Sequence, residues 1–230
     1  MSHIVSVLGM EIECLYASEI MDKMNHQRKE DGFFTYGVVS MNLLMEAQQD
    51  LVLRRYIDTL DGGIISEMEV LRAAGMEDEQ MMQEVEESAF FRSLLTMLVE
   101  SQCPVFLLGE TEEEANGFGE YLQEKHIDFP VAGVDYLDVT DEDNVDRVIN
   151  EINSLLPAMV ITCGQSFSLE RFVVEHRKKI NTRFWLGLGG FSRIAEQLGM
   201  KTGWLSKLLE KAAFRKLVNQ YNSENGGTSL

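Results

Sequence analysis

Apolar and polar positions along the chain fall into blocks that predict strands separated by helices. Ile4 to Leu8 reads as a first strand, followed by a helix from Ala17 to Lys29. Phe33 to Met41 is a second strand, and Leu43 to Asp58 a second helix. From Ile64 to Ala74 the apolar residues Ile64, Ile65, Met68 and Leu71 recur at helical spacing. Glu84 to Gln102 predicts a longer amphipathic helix that feeds the strand Val105 to Gly109. Thr111 to Glu114 fits a capping box at the start of a helix reaching His126. Phe129 to Val134 is the next strand, and Thr140 to Asp143 opens a helix through Leu155. Ala158 to Cys163, Leu169 to Ile180 and Phe184 to Leu188 then read as strand, helix and strand, the last ending at Gly189 and Gly190. Strands spaced by helices of this length predict parallel pairing with right-handed crossovers. The expected fold is therefore α/β, a doubly wound, mostly parallel, Rossmann-like sheet.

The pattern changes near the C-terminus. Between Gly203 and Val218, Leu205, Leu208, Leu209 and Ala212 form an apolar stripe, while Lys207, Lys211 and Arg215 recur every four residues. A basic amphipathic helix of this kind either lies on a membrane surface or packs on its own domain. The expected organisation is an α/β domain over 1–198, a basic appendage over 199–220 and a disordered tail over 221–230.

Composition narrows the class. Hydrophobic residues make up 45% and charged residues 25% of the 230, ordinary for a soluble globular protein with a sizeable core. The longest uncharged runs, Gly32 to Met45 and Leu155 to Leu169, are 14 and 15 residues, too short to span a bilayer. The first residues lack a basic segment ahead of an apolar run, which argues against a signal peptide and for a cytoplasmic protein, peripheral to the membrane if the basic helix docks there. Cys14, Cys103 and Cys163 are odd in number and far apart, as expected of reduced core thiols.

The net charge of −18 is unevenly placed: residues 1–170 carry 34 acidic and 9 basic side chains, residues 171–216 carry 3 and 11. Such an acidic body is repelled by a nucleic-acid backbone, so nucleic acid is excluded as a partner. The basic block either faces an anionic membrane or diphosphate, or neutralises the acidic body. Nothing in the composition excludes a homo-oligomer.

Candidate chemistry concentrates between Val38 and Gly63. An apolar strand ends at Ser40 and Asn42, a helix follows, and Asp61 arrives at the turn Gly62-Gly63. A carboxylate beside flexible residues suits a general base, and Asp-Gly is equally an ordinary turn. Asn42 reads as a ligand contact or a strand-end cap. Thr162, Gly164 and Gln165 follow a buried strand, at the edge where ligands bind in such sheets. Gly109 and Gly189 each end a strand and allow close approach or a turn. Asp141-Glu142-Asp143 has an Asp-x-Asp form that can hold a metal, but capping is the stronger reading at a helix start. The four histidines show no ligand spacing, and no Ser-His-Asp or phosphate-loop pattern appears. Neither a metal nor a cofactor is expected.

These segments, in this order, resemble the WecG/TagA/CpsF family of bacterial glycosyltransferases from about residue 4 to 217. Val7 to Glu13 is similar to the family's first strand and acidic link, and Ser40 and Asn42 stand for its Thr and Asn that line the donor pocket. Asp61 stands for its proposed base, Val105 to Gly109 for the strand before a nucleotide-facing helix, and Glu170 to Lys179 for the helix after its Pro-x-Gln-Glu motif. Trp204 to Leu208 resembles the start of its membrane-docking appendage. The resemblance implies transfer of an N-acetylhexosamine from a UDP-sugar to a polyprenyl-diphosphate-linked acceptor, without a metal. Asp61 would be the base. Ser40, Asn42, Gly62, Gly109, Thr162, Gly164, Gln165 and Gly189 would bind substrate, and Lys207, Lys211 and Arg215 would face the diphosphate or membrane. The chain departs from the family where Phe167 and Leu169 replace its Pro and Gln, and where Ala212, Ala213 and Phe214 fall near its late arginines. Glu110, Glu112, Glu113 and Glu114 also crowd a helix start with negative charge, which opposes a diphosphate there. These departures imply the alternative of an inactive relative that binds sugar nucleotides or partner proteins.

Overall fold

The computed structural model describes residues 3–189, 214 and 216–224. Its strands are β1 (His3–Val7), β2 (Met10–Cys14), β3 (Phe34–Val39), β4 (Gly62–Ile65), β5 (Val105–Gly109), β6 (Val131–Tyr136), β7 (Met159–Cys163) and β8 (Phe184–Gly187). They form one sheet in the order β1-β2-β4-β3-β8-β7-β5-β6, parallel throughout except between β1 and β2. The helices are α1 (Ala17–Gln27), α2 (Met41–Glu46), α3 (Leu51–Asp58), α4 (Met68–Ala73), α5 (Glu79–Glu87), α6 (Ala89–Ser101), α7 (Glu112–Lys125), α8 (Glu142–Leu155) and α9 (Ser168–His176), with a last helix, α10, over 216–224. This is the expected doubly wound α/β architecture.

Strand β5 shows why the sheet is buried on both sides. Its run Val105-Phe-Leu-Leu is apolar at every position, as a strand covered on two faces requires. Val105 and Leu107 join Tyr36, Ile161 and Leu186 in a core under α1, α6 and α7. Phe106 and Leu108 point the other way, packing with Val160, Trp185 and side chains from α3, α8 and α9. Each such fully buried side chain contributes roughly 1.5–3 kcal/mol.

Several boundaries differ from the sequence reading, each for a local reason. Leu8 and Gly9 both have positive φ (52° and 72°), which turns the chain back into β2 as a tight hairpin. In β2, Met10, Ile12 and Cys14 face inward while Glu11 faces out, a two-residue period too short to stand out. The helical spacing read from Ile64 to Ala74 splits into β4 and α4, because Ile64 and Ile65 pair with Val38 and Val39. Asp50 breaks the helix expected over 43–58: its carboxylate accepts the N–H groups of Val52 (2.8 Å) and Leu53 (3.1 Å) and starts α3 afresh. Ser88, at φ 53°, divides α5 from α6.

At the C-terminus, Phe214 and Val218 are buried in the same core cluster as Leu8, Val39 and Tyr56, so this end of the expected appendage packs on the domain. Helix α10 continues to residue 224, past the start of the expected tail. Gly190, Leu205, Lys207, Leu208, Lys211 and Arg215 lie outside the described residues. Among the described residues, no helix is long and apolar enough to cross a membrane.

Candidate active site

In open parallel sheets, ligands bind beyond the carboxyl ends of the strands, near the point where the strand order reverses. Here β5 leads through α7 to β6 on one side and its neighbour β7 leads through α9 to β8 on the other, so the order reverses between β5 and β7. The chain leaving β3 at Ser40, β4 at Ser66, β8 at Leu188, β7 at Gly164 and β5 at Glu110 therefore shares one edge.

Ser40 is buried and caps α2, its hydroxyl accepting the Leu43 N–H at 3.2 Å. The next N–H, that of Met41, donates to Glu67 Oε2 at 2.7 Å. Glu67 follows β4 and is itself buried, so a carboxylate is held at the polar exit of β3, against the backbone between Ser40 and Asn42. Asn42 stands in the first turn of α2, partly exposed.

Asp61 does not join this group. It precedes β4, and its carboxylate accepts the Thr35 N–H at 2.7 Å while its own N–H donates to the Thr35 carbonyl, also at 2.7 Å. Both contacts lie at the beginning of β3, five residues before Ser40, which is about 16 Å of strand. Asp61 and the neighbouring Gly62 thus close the amino edge of the sheet. By this register the structure does not bring Asp61 together with Ser40 and Asn42, which the resemblance implies act on one substrate.

Across the edge, Glu110 fills the loop before α9. It accepts the Gln165 N–H (2.7 Å), the Ser166 N–H (2.9 Å) and the Ser168 N–H (3.1 Å), together with the Ser166 and Ser168 hydroxyls (both 2.8 Å). Burial pushes the Glu110 carboxyl up, but these donors outweigh it and hold the group below its ordinary range. Gly164 leaves room for the Glu110 side chain, where a Cβ would collide. Arg171 ties the same loop from the other side, donating to Asp50 (2.7 Å), the Ser166 carbonyl (2.7 Å) and Glu46 (3.2 Å). Glu114 lies near; burial first and then the Glu110 charge push its carboxyl up, and its Oε2 has no hydrogen-bond partner among the described residues. Burial and the charges of Glu114, Glu110 and Glu170 all push the Cys163 thiol up, so the exit of β7 is electronegative.

Glu170 is the deepest of these acids, 4% exposed in the first turn of α9. Burial pushes it up to about 7, and the neighbouring backbone N–H groups of Glu170 itself and of Gly189 oppose that rise. Gly37 and Gly187 are register partners on β3 and β8, and together they open a window in the sheet. The Tyr56 hydroxyl enters this window from α3, where a Cβ on either glycine would collide with it. Glu170 reaches the same place, its Oε1 3.0 Å from where a Gly187 Cβ would stand.

The remaining expected residues divide by position. Gly189, at φ 50°, has space for no Cβ, since one would lie 2.7 Å from the Val38 carbonyl. Gln165 is at the edge, but its backbone N–H is committed to Glu110. Thr162 is 1% exposed inside the sheet, its hydroxyl directed at the Leu186 carbonyl (3.4 Å), so it lines no opening. Gly109 packs against the first turn of α7. Glu67, Glu110 and Tyr56 escaped the sequence reading. Glu67 had a signal: it follows two apolar residues and a serine, much as Asn42 follows its strand.

Among the described residues, no group of three or more His, Cys, Asp or Glu side chains is arranged to hold a metal ion. An apolar groove of about 460 Å³ runs from Leu188 between α6 and α7, lined by Phe91, Leu94, Phe118, Ile161 and Leu186, a volume within the range of small-ligand sites.

Among curated proteins, none matches the chain. The model of the glycosyl transferase WecG/TagA/CpsF family matches residues 5–217, nearly the whole α/β sheet and the chain up to the first residues of α10, and the chain belongs to that family.

Proposed function

We propose that the protein transfers an N-acetylhexosamine from a UDP-sugar to a polyprenyl-diphosphate-linked acceptor in cell-wall or surface polysaccharide synthesis. The family supports a glycosyl transfer, and the observation that carries the reading is the carboxylate of Glu67, bonded to the Met41 N–H at the polar exit of β3. In this reading Glu67 takes the place that the resemblance had given to Asp61. It removes the proton from the acceptor hydroxyl as that oxygen bonds to the anomeric carbon, and the bond from that carbon to UDP breaks. Ser40 and Asn42 orient the donor sugar, and Gly189 lets it approach the backbone of β8. Lys207, Lys211 and Arg215 face the diphosphate or the inner surface of the membrane.

One observation favours a second reading, a family member that no longer transfers sugar. The Glu110 carboxylate occupies the donors at the start of α9, and Glu114 and Glu170 add charge beside it. A fixed anion there repels a diphosphate.

UDP release from UDP-N-acetylhexosamines, with a polyprenyl-diphosphate-linked acceptor in detergent, tests the first reading. Wild type and Asp61→Asn should turn over, and Glu67→Gln should not. Equal turnover by wild type and Glu67→Gln would remove Glu67 from the mechanism. No turnover by wild type would favour the second reading.

A further inference from the structure

One residue of the loop before α9 is held from two sides. Ser166 gives its N–H (2.9 Å) and its hydroxyl (2.8 Å) to Glu110, and its carbonyl accepts Arg171 Nη1 at 2.7 Å. From α9, Arg171 then reaches across the carboxyl edge. Its Nε donates to Asp50 Oδ2 at 2.7 Å and its Nη2 to Glu46 Oε2 at 3.2 Å. Glu46 is the last residue of α2. Asp50 is the N-cap of α3, where its other oxygen holds the Val52 and Leu53 N–H groups. The guanidinium therefore joins three segments: the loop filled by Glu110, the end of α2 and the start of α3. Each of its three nitrogens has a protein acceptor, so the fork is committed to placing these segments.

The other end of α2 carries the residues read above as donor contacts. Ser40 caps the helix, the Met41 N–H holds Glu67, and Asn42 follows in the first turn. With six residues, α2 is too short to hold its own direction, which is set by what grips it. Leu43 and Leu44, both fully buried, fix its inner face, and Glu46 ties its outer end to Arg171. We infer that Arg171 is a positioning residue of the donor pocket: it fixes the tilt of α2, and with it Asn42, against the Ser166 loop across the edge. The inference rests on the donor-site reading of this edge and adds to it a residue that acts on the sugar through α2. A planar fork meets two carboxylates and a carbonyl in three directions at once, whereas the ammonium of a lysine is a single point. An exposed ion pair alone contributes little, but here several groups share one cation in a network. The Met41 contact to Glu67 lies at the β3 end of α2, next to the pivot. Releasing the outer end should therefore weaken donor binding and leave the base in place.

The test compares wild type, Arg171→Lys and Arg171→Gln as full chains, by NMR and by UDP release, with UDP-N-acetylglucosamine and UDP-N-acetylmannosamine as probes. In both variants the backbone and side-chain amides of Asn42 should shift before any probe is added. The Kd of the probe that wild type binds should rise about tenfold or more, the scale on which small misplacements of binding groups act. In turnover the KM should rise by a similar factor and kcat change far less, a split that a general loss of folded protein does not produce. Asn42 amides that stay in place in both variants would overturn the proposal, and so would a wild-type Kd in Arg171→Lys. Glu46→Ala releases only the α2 end of the clamp and should raise the Kd in the same direction. A wild-type Kd in Glu46→Ala would overturn the proposal even if Arg171→Gln fails to fold. A wild type that binds neither probe would remove the donor reading and this proposal with it. Equal binding by wild type and variants would remove Arg171 alone.

Discussion

Glu67 Oε2 stands 2.7 Å from the Met41 nitrogen, so a buried hydrogen bond joins the segments that leave β4 and β3. An amide in place of the carboxylate can still accept that N–H. Glu67→Gln should therefore keep the fold, while Glu67→Leu strands a buried donor and should destabilise by about 1–3 kcal/mol. Urea unfolding of both variants checks this. Equal losses would mean that the Met41 contact contributes little.

Asp61 answers to a different test. Its carboxylate closes the start of β3 through Thr35. Asp61→Ala should lower stability by about 1–3 kcal/mol, for a hydrogen bond with a charged partner, and leave UDP-sugar affinity unchanged. Calorimetry of ligand binding next to thermal unfolding separates the two effects. Loss of affinity with full stability would return Asp61 to the pocket.

Glu170 should leave a signature in the pH dependence of stability. Its folded value, about 7, lies above its ordinary 4.5, so between these values the folded chain holds a proton that the unfolded chain has lost. This contribution is fully present below 4.5, falls as pH rises, and is gone above about 7. The loss is on the order of 3 kcal/mol across that window. Urea unfolding at intervals from pH 4.5 to 7.5 should show wild type losing stability relative to Glu170→Gln. Parallel curves would contradict the burial of an ionisable Glu170.

Glu110 should act in the opposite sense. Its donors hold it below the ordinary 4.5, so its contribution is present above that value and is lost as pH falls through the lower folded value. In acid unfolding, wild type should therefore lose stability more steeply than Glu110→Gln below pH 4.5. Identical acid limbs would mean that the Ser166 and Ser168 donors do not favour the charged form.

Much of this was legible in the chain. The apolar runs of β5, β7 and β8 mark strands buried on both faces, and Thr111 caps α7 as its spacing predicts, accepting the Glu114 N–H at 3.2 Å. Short elements were harder. β4 has four residues, two of them glycines, and only its pairing with β3 distinguishes it from a helix start. That loss moved the candidate base: with β4 unseen, Asp61 read as a carboxylate at a glycine turn after a helix, whereas it precedes a strand and Glu67 follows that strand. Glu110 shows the same limit from another side. Its acidic neighbourhood is plain in sequence, but the loop it fills lies 55 residues away at Gln165 and forms only in the fold.

The donor site itself is tested most directly by thermal unfolding of the purified protein with and without millimolar UDP and UDP-N-acetylhexosamines. A ligand at one hundred times its Kd stabilises the folded state by roughly 2.7 kcal/mol, a shift that is readily measured. A sugar-nucleotide enzyme should show such a shift with UDP and at least one UDP-sugar, in wild type and in Asp61→Asn alike. No shift with any of them would contradict the donor site at the carboxyl edge and leave Glu110 as its permanent occupant.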